Sequence, residues 1–169
     1  MKDSARFRGI WEIEVYEKAG GKLLSKSQCH NIITDEGLNH LLNVVLHDTA
    51  KKVTWYVLLF EDDFTPDGDE TYAVPGYTEC EAYTEATRPE FNNAASSAKS
   101  TTNSANKAVF TMNDTKTLYG AALVSVNTKG DEAGGGILFS CGRFDAAQPV
   151  ISGNVVNATY TVTAADDGV

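Results

Sequence analysis

The residues best suited to chemistry are acids gathered in one short segment of the chain. Hard cations such as Ca²⁺ take several oxygen ligands, and carboxylates on a single loop can supply them. The spacing does not match an EF-hand loop, and the proline and glycine among the acids are typical of a turn in solvent. We therefore favour a solvated loop, expect no cofactor, and keep calcium as the weaker alternative. Its candidate ligands are Asp62, Asp63, Asp67, Asp69 and Glu70.

Histidine and cysteine are the other residues that bind metals or act as nucleophiles. His40 and His47 share a helical face, but no acid or cysteine completes a metal site at the required spacing. Cys29, Cys80 and Cys141 lie far apart, with no CxxC pair among them. We expect free thiols that are buried or half-buried, and a disulfide between two of them stays open. Without a GxSxG, P-loop or dinucleotide motif, the sequence favours a protein that is not an enzyme.

Aromatic residues in polar surroundings, together with one arginine, indicate contacts with other proteins. Tyr77 and Tyr83 stand among acids, where an interface role competes with a core role. Arg88 precedes a proline and follows Glu85, so we expect an ordering salt bridge at a turn. The interface candidates are Tyr77, Tyr83, Arg88 and Phe64.

A carbohydrate-binding groove is an alternative use of the aromatic residues. It would require two or three of them to be exposed along one groove. The candidates are Trp11, Trp55, Tyr56, Tyr77 and Tyr83, and the strand positions of Trp11 and Trp55 favour a core role for those two.

One amphipathic helix and one apolar strand form the centre of the predicted fold. Residues 35–47 are predicted to be helical, with Thr34 as the N-cap. Leu38, Leu41, Leu42 and Val45 recur at i, i+3, i+4 and i+7, so we expect this face to pack on the core. The following run, residues 53–60, is rich in aromatic and β-branched residues and is predicted to be the central strand.

Short alternating segments on both sides of this pair predict further strands. Alternation runs through residues 7–16, 107–113 and 155–162, and Gly120 within residues 118–126 predicts a bulge or a close backbone approach. Residues 92–106 predict a long surface connection or a plain edge strand, and 164–169 a mobile tail. The pattern favours one mainly β domain over residues 1–169. We expect an antiparallel β-sandwich, jelly-roll or immunoglobulin-like, with one inserted α-helix.

The overall charge excludes some classes of partner. The chain of 169 residues has a formal net charge of −9 and no basic cluster beyond Lys51 and Lys52. An acidic surface repels a phosphate backbone, so we expect no nucleic-acid partner. The sequence contains no apolar run long enough to span a bilayer and no signal-peptide core, so we expect no membrane partner and synthesis in a cytoplasm.

The order of motifs resembles a group of small structural proteins encoded by tailed bacteriophages. The resemblance rests on the Asn-Ile-Ile-Thr-x-x-Gly-Leu-x-x-Leu helix start at 31–41 and the Thr-Trp-Tyr-Val-x-Leu strand at 54–59. It continues with the Tyr-Thr-Glu and Tyr-x-Glu-Ala-x-Arg-Pro segments within 77–89 and the Leu-x-Gly-Ala strand at 118–121. Together these motifs cover most of the chain.

The resemblance implies a virion component made in the bacterial host cytoplasm, with no catalytic residues. Its partners would be capsid or connector subunits, and it would form a homo-oligomer. Decoration or cementing of the capsid is the first expectation. A tail or neck component, including a host-surface or carbohydrate-binding adhesin module, is the second. A hydrolase with a site assembled from distant residues stays open as a third.

Overall fold

The computed structural model describes residues 5–131 and 135–166. They form two antiparallel sheets and one helix, with 45% of residues in strands and 8% in helix, which confirms the predicted mainly β sandwich with one helix. In chain order the elements are β1 (Ala5–Tyr16), β2 (Leu23–His30), β3 (Ile32–Ile33), α1 (Asp35–Leu46), β4 (Tyr56–Phe60), β5 (Ser100–Thr102), β6 (Ala108–Thr111), β7 (Lys116–Val124), β8 (Leu138–Val150) and β9 (Val155–Asp166).

The first sheet is organised around β9, the last strand of the described chain. Its strand order is β2-β1-β9-β5, and β6 joins the same edge of β9 as β5. β9 pairs with β1 along all twelve residues, from Val155 opposite Tyr16 to Asp166 opposite Ala5. Residues 164–166 of the predicted mobile tail continue this ladder. Residues 167–169 lie outside the described part of the chain.

The second sheet has the order β3-β8-β7-β4, so β4 lies at its edge. The prediction that residues 53–60 form the central strand is wrong in position, and the strand begins only at Tyr56. Its apolar run is buried on both faces, which is the usual mark of a central strand. Here the second face is covered by irregular chain and not by another sheet.

Irregular backbone also pairs with the outer edge of β4. The N–H of Val57 donates to the carbonyl of Pro89 at 2.8 Å, and the N–H of Cys80 donates to the carbonyl of Leu59 at 2.8 Å. These bonds satisfy an edge that would otherwise be open to pairing with another chain. The segment between 61 and 91 is thus a structural layer, although it contains no named strand.

Two apolar cores result from this layering. The larger lies between the sheets, where the rings of Trp11 and Tyr160 stack at 4.1 Å and the alternation predicted for β1 buries Ile13 and Val15. The smaller lies on the outer face of the second sheet, where Phe60 stacks on Tyr77 at a centroid distance of 4.6 Å.

Gly120 marks a close approach inside the second sheet. The pairing of β7 with β8 shifts register between Leu118 and Gly120, which confirms the predicted bulge. A Cβ at Gly120 would lie 1.9 Å from the ring of Phe60 and 2.3 Å from the carbonyl oxygen of Gly142. Only glycine fits between these two groups.

The polar stretch 92–106 contains both structures predicted for it. Residues 92–99 are exposed, and β5 then forms a short edge strand on β9. The two are joined by a tight hairpin in which Ser97 and Ser100 exchange two backbone hydrogen bonds of 2.9 Å.

Candidate protein-binding surface

Three of the five predicted calcium ligands come together in the acidic loop. One oxygen each from Asp67, Asp69 and Glu70 lie within 4.8 Å of one another. Glu70 is buried, and its two oxygens accept hydrogen bonds from the backbone N–H groups of Asp67 (2.9 Å) and Gly68 (2.8 Å). A hydrogen bond with the side chain of Asp67, and then its charge, raise the pKa of Asp69. Glu70 thus closes a turn of its own loop, and calcium binding stays a prediction.

The other two predicted ligands are used elsewhere. Asp62 accepts a hydrogen bond from the backbone N–H of Thr78. Asp63 forms a surface ion pair with Arg143, whose Nε donates to it at 2.6 Å. Asp62 therefore fastens the loop to Thr78 within the irregular layer, and Asp63 fastens it to β8.

Three of the four interface candidates belong to the interior. The exposed fraction is 6% for Tyr77, 1% for Tyr83 and 1% for Arg88, so these side chains offer little surface to a partner. The cause is the irregular layer, which packs its own aromatic residues onto the sheet. Phe64 is half-buried, with its ring edge-on to Phe60 and Tyr77.

Arg88 forms its ion pair with Glu79, and not with Glu85 as the sequence suggested. Its Nη1 also donates to the hydroxyl of Tyr72 and to the carbonyl of Val126, both at 2.9 Å. Burial alone would lower the pKa of Arg88, but the hydrogen bonds and charge of Glu79 raise it. Glu85 instead accepts hydrogen bonds from the backbone N–H of Thr111.

Most of the aromatic residues considered for a carbohydrate groove are covered. Trp11, Tyr77 and Tyr83 are buried, and Trp55 and Tyr56 are half-buried. A sugar-binding platform needs ring faces that are open to solvent, and three of the five rings do not provide one.

The two helical histidines do not form a joint site. His40 is half-buried and lies edge-on to Trp55 at 5.8 Å, whereas His47 is the exposed C-cap of α1. Burial lowers the pKa of His40, the charge of Lys52 lowers it further, and Glu36 opposes both. Within residues 5–131 and 135–166, the acidic loop holds the one group of metal-ligand side chains that lie this close together.

The cysteines are buried free thiols, as predicted. Burial raises the pKa of Cys29 to about 12 and that of Cys80 to about 11, and it also raises the pKa of Cys141. Thiolate nucleophiles need a lowered pKa and access, and these thiols have neither.

The N-terminus of α1 is fixed firmly to its surroundings. The side chain of Thr34 accepts a hydrogen bond from the N–H of Gly37 at 3.0 Å, which confirms the predicted N-cap. The carboxylate of Glu36 accepts hydrogen bonds from the N–H groups of Tyr72 (2.9 Å) and Leu138 (2.6 Å). The helix bounds, Asp35–Leu46 with His47 as C-cap, agree with the predicted range 35–47.

Gly37 decides which face of α1 meets the sheet. A Cβ at this position would lie 2.3 Å from the backbone oxygen of Phe139, so the first turn rests directly on β8. His40, Leu41 and Val44 follow at i+3, i+4 and i+7 and are all half-buried. They make the contact face, and Gly37 was the signal in the sequence that could have identified it.

The predicted core face of α1 points mostly to solvent instead. Of the predicted core face, only Leu41 is half-buried, so the prediction holds only there. Leu38, Leu42 and Val45 are 36%, 54% and 69% exposed, and Leu46, which follows on the same side, is 77% exposed. We call these four side chains the apolar helix surface. A helix that is apolar on both faces is typical of burial on both sides, and contiguous exposed apolar side chains mark interaction sites.

A cleft of about 270 Å³ adjoins this surface. Its walls are largely apolar, and its rim carries the adjacent lysines. The residues that define it include Leu41, Val44, Trp55, Phe139, Lys51 and Lys52. The arrangement can hold an apolar side chain beside a negative charge.

Comparison with protein-family models and with curated proteins found no match. The described helix is too short to cross a membrane. The geometry of α1 and its surroundings therefore provides the main evidence about function.

Proposed function

We propose that this protein is a non-enzymatic structural protein of a bacteriophage virion, and that it decorates or cements the capsid by binding neighbouring capsid subunits. The apolar helix surface is the single observation that carries the protein-binding part of this proposal. Leu42, Val45 and Leu46 are each more than half exposed, although their type belongs in an interior.

The motif order supports the virion part of the proposal. The motif residues that resemble phage structural proteins have identifiable structural roles in this chain. Thr34 caps α1, Gly37 rests on β8, Arg88 fastens the irregular layer and Gly120 permits the approach of Phe60. A shared set of fold-determining residues is a reason to expect a shared fold and a related role.

Attachment to a particle would use more than one surface. The exposed stretch 92–99 lies at the sheet edge and is available to contact a neighbour. Several modest contacts made by one small domain act together, because each holds the others at a high effective concentration. The acidic net charge of −9 would keep such a protein away from the packaged nucleic acid.

Antibody labelling of intact particles from the phage that encodes this protein tests the proposal. We expect label over the head in electron micrographs, with an antibody against the major capsid protein as the positive control. Label confined to the neck or tail would overturn capsid decoration in favour of a connector or adhesin. Mass spectrometry of purified particles detects the protein even where the epitope is covered, and its absence there would overturn the virion role itself.

A further inference from the structure

The cleft of about 270 Å³ beside α1 is bounded by both sheets. One of its sides is the sheet-facing side of α1, through Leu41 and Val44. The other sides come from β5, β7, β8 and β9 and from the irregular chain that carries Trp55 and Phe91. Phe91 and Leu123, which also line the cleft, belong to the larger core between the sheets. The cleft is therefore a hollow beside that core, separate from the apolar helix surface.

The walls of the cleft suit an aliphatic chain. Trp55 and Phe139 are packed edge-on at 5.3 Å and form an aromatic part of the wall. The polar groups of the wall are already used, since Asn93 donates to the hydroxyl of Thr101 and that hydroxyl donates to the carbonyl of Ala94, both at 2.7 Å. An apolar cavity of about 150 Å³ can hold a benzene molecule, so this cleft has room for a chain of about eight carbons.

The charge at the rim of the cleft is opposite to that of the whole chain. Lys51 and Lys52 are exposed there, and within the described ranges neither takes part in a hydrogen bond or an ion pair. Among the residues that the structure describes, no aspartate or glutamate lines the cleft, and Asp48 of the same loop lies outside it. Glu36 acts on the ring of His40, but its carboxylate already accepts two backbone hydrogen bonds. Two ammonium groups are thus left for an anion.

We infer that this cleft binds an aliphatic carboxylate of medium chain length, such as octanoate, with the chain beside Leu41 and Val44 and the carboxylate between Lys51 and Lys52. The apolar walls would favour binding by removing the chain from water. The two ammonium groups would select an anion over a neutral or cationic molecule of the same length. The inference goes beyond the proposed function, because docking to a capsid uses the opposite side of α1.

Isothermal titration calorimetry of the full chain with sodium octanoate tests the inference. We expect saturable binding at one site per chain, with octylamine and octanol weaker by about tenfold or more. The joint change Lys51→Met and Lys52→Met should weaken octanoate binding by about fivefold or more. Lys18→Met with Lys22→Met is the matched control, because it removes the same charge from exposed positions between β1 and β2 and should leave the affinity unchanged. Failure to saturate up to about 1 mM octanoate, or equal binding of octylamine, would overturn the inference.

A brominated chain tests the position of the ligand. Bromine quenches tryptophan fluorescence at short range, so ω-bromooctanoate should quench Trp55, which lines the cleft. Val44→Phe fills the cleft and should abolish both this quenching and the heat of octanoate binding. Val45→Phe is the control, because Val45 is 69% exposed on the other side of α1, and it should retain both signals.

Circular dichroism melting of the two phenylalanine variants separates loss of binding from loss of fold. The lysine variants change only the exposed rim, so they decide the question even if Val44→Phe does not fold. Quenching that persists in a folded Val44→Phe would overturn the assignment to this cleft. Failure of these titrations would leave the particle-labelling test of the proposed function unaffected.

Discussion

Arg88 and Glu79 form a two-point ion pair that is almost completely buried. The Nε of Arg88 donates to one carboxylate oxygen at 2.8 Å and its Nη2 donates to the other at 2.6 Å, with side-chain exposures of 1% and 2%. Glu79 also accepts a hydrogen bond from the N–H of Gly130. The pair therefore joins the irregular layer to the loop that follows β7.

Removal of one partner should damage the fold severely. Arg88→Met leaves the carboxylate of Glu79 buried without its counter-charge, and we expect a loss of about 3–5 kcal/mol in the free energy of unfolding. Chemical denaturation measures this loss. Arg143→Met is the control, because it breaks an exposed pair and should cost about 1 kcal/mol or less. Equal losses in the two variants would contradict the buried role.

Gly120→Ala tests the close approach of Phe60. The added Cβ overlaps both the ring of Phe60 and the carbonyl of Gly142, so we expect a loss of about 3 kcal/mol or more. Gly135→Ala adds the same methyl group where nothing lies within 4 Å, and it should change stability by about 0.5 kcal/mol or less. Thermal melting of the two variants measures this difference in stability. An unchanged stability in Gly120→Ala would show that β7 can move away from Phe60.

The hairpin before β5 stores backbone strain that can be relieved. Ala98 and Lys99 have φ values of 50° and 62°, a left-handed conformation that suits Asn-Gly far better. The double change Ala98→Asn and Lys99→Gly should raise the free energy of unfolding by about 1 kcal/mol. The same two residue types introduced at Ala95 and Ser96, where φ is not positive, should give no gain. A gain at both places would point to a general effect of composition.

His40 should make folding stability depend on pH. Its pKa is lowered in the folded state from the ordinary value of 6.5, first by burial and then by Lys52. Below pH 6.5 the unfolded state therefore binds the proton more readily, and stability falls as the pH decreases. Urea denaturation across this range should show a smaller fall in His40→Gln. Asn39→Gln, an uncharged and exposed position on the same helix, should keep the wild-type slope.

The three cysteines should not react with a disulfide reagent while the protein is folded. Burial raises their pKa values and removes access, so neither thiolate nor a path to it is present at mildly alkaline pH. Denaturant should expose all three thiols to the reagent. Ser104→Cys, at an exposed position, is the positive control and should add one thiol that reacts in the folded state. Reaction of a native thiol before unfolding would show local opening.

The sequence predicted the elements of this fold better than their surroundings. Spacing gave the bounds of α1 and the buried side of β1, because periodicity follows directly from local geometry. It gave the wrong face of α1, since two apolar faces have the same period and only Gly37 separates them. The sequence pattern also placed β4 at the centre of its sheet. An apolar run indicates that both faces of a strand are buried, but it does not indicate what covers them.

The candidate site was harder to predict for a related reason. Segment 61–91 has no periodicity, so nothing in its sequence indicated that Tyr83 and Arg88 would be covered. Arginine is almost never fully buried unless it is paired, and its partner Glu79 lies nine residues away in an irregular stretch. The apolar helix surface was visible as a pattern, but its exposure depends on tertiary packing.

The position of β9 has a consequence for how the molecule is made. It is the last described strand, yet it pairs with β1, β5 and β6, so the first sheet cannot close until β9 itself has left the ribosome. Until then the hairpin of β1 and β2 presents Trp11, Ile13 and Val15 without the strand that completes their sheet. Such non-local pairing makes folding slow and leaves the nascent chain open to aggregation. Closure of the first sheet is therefore a late event in the folding of this domain.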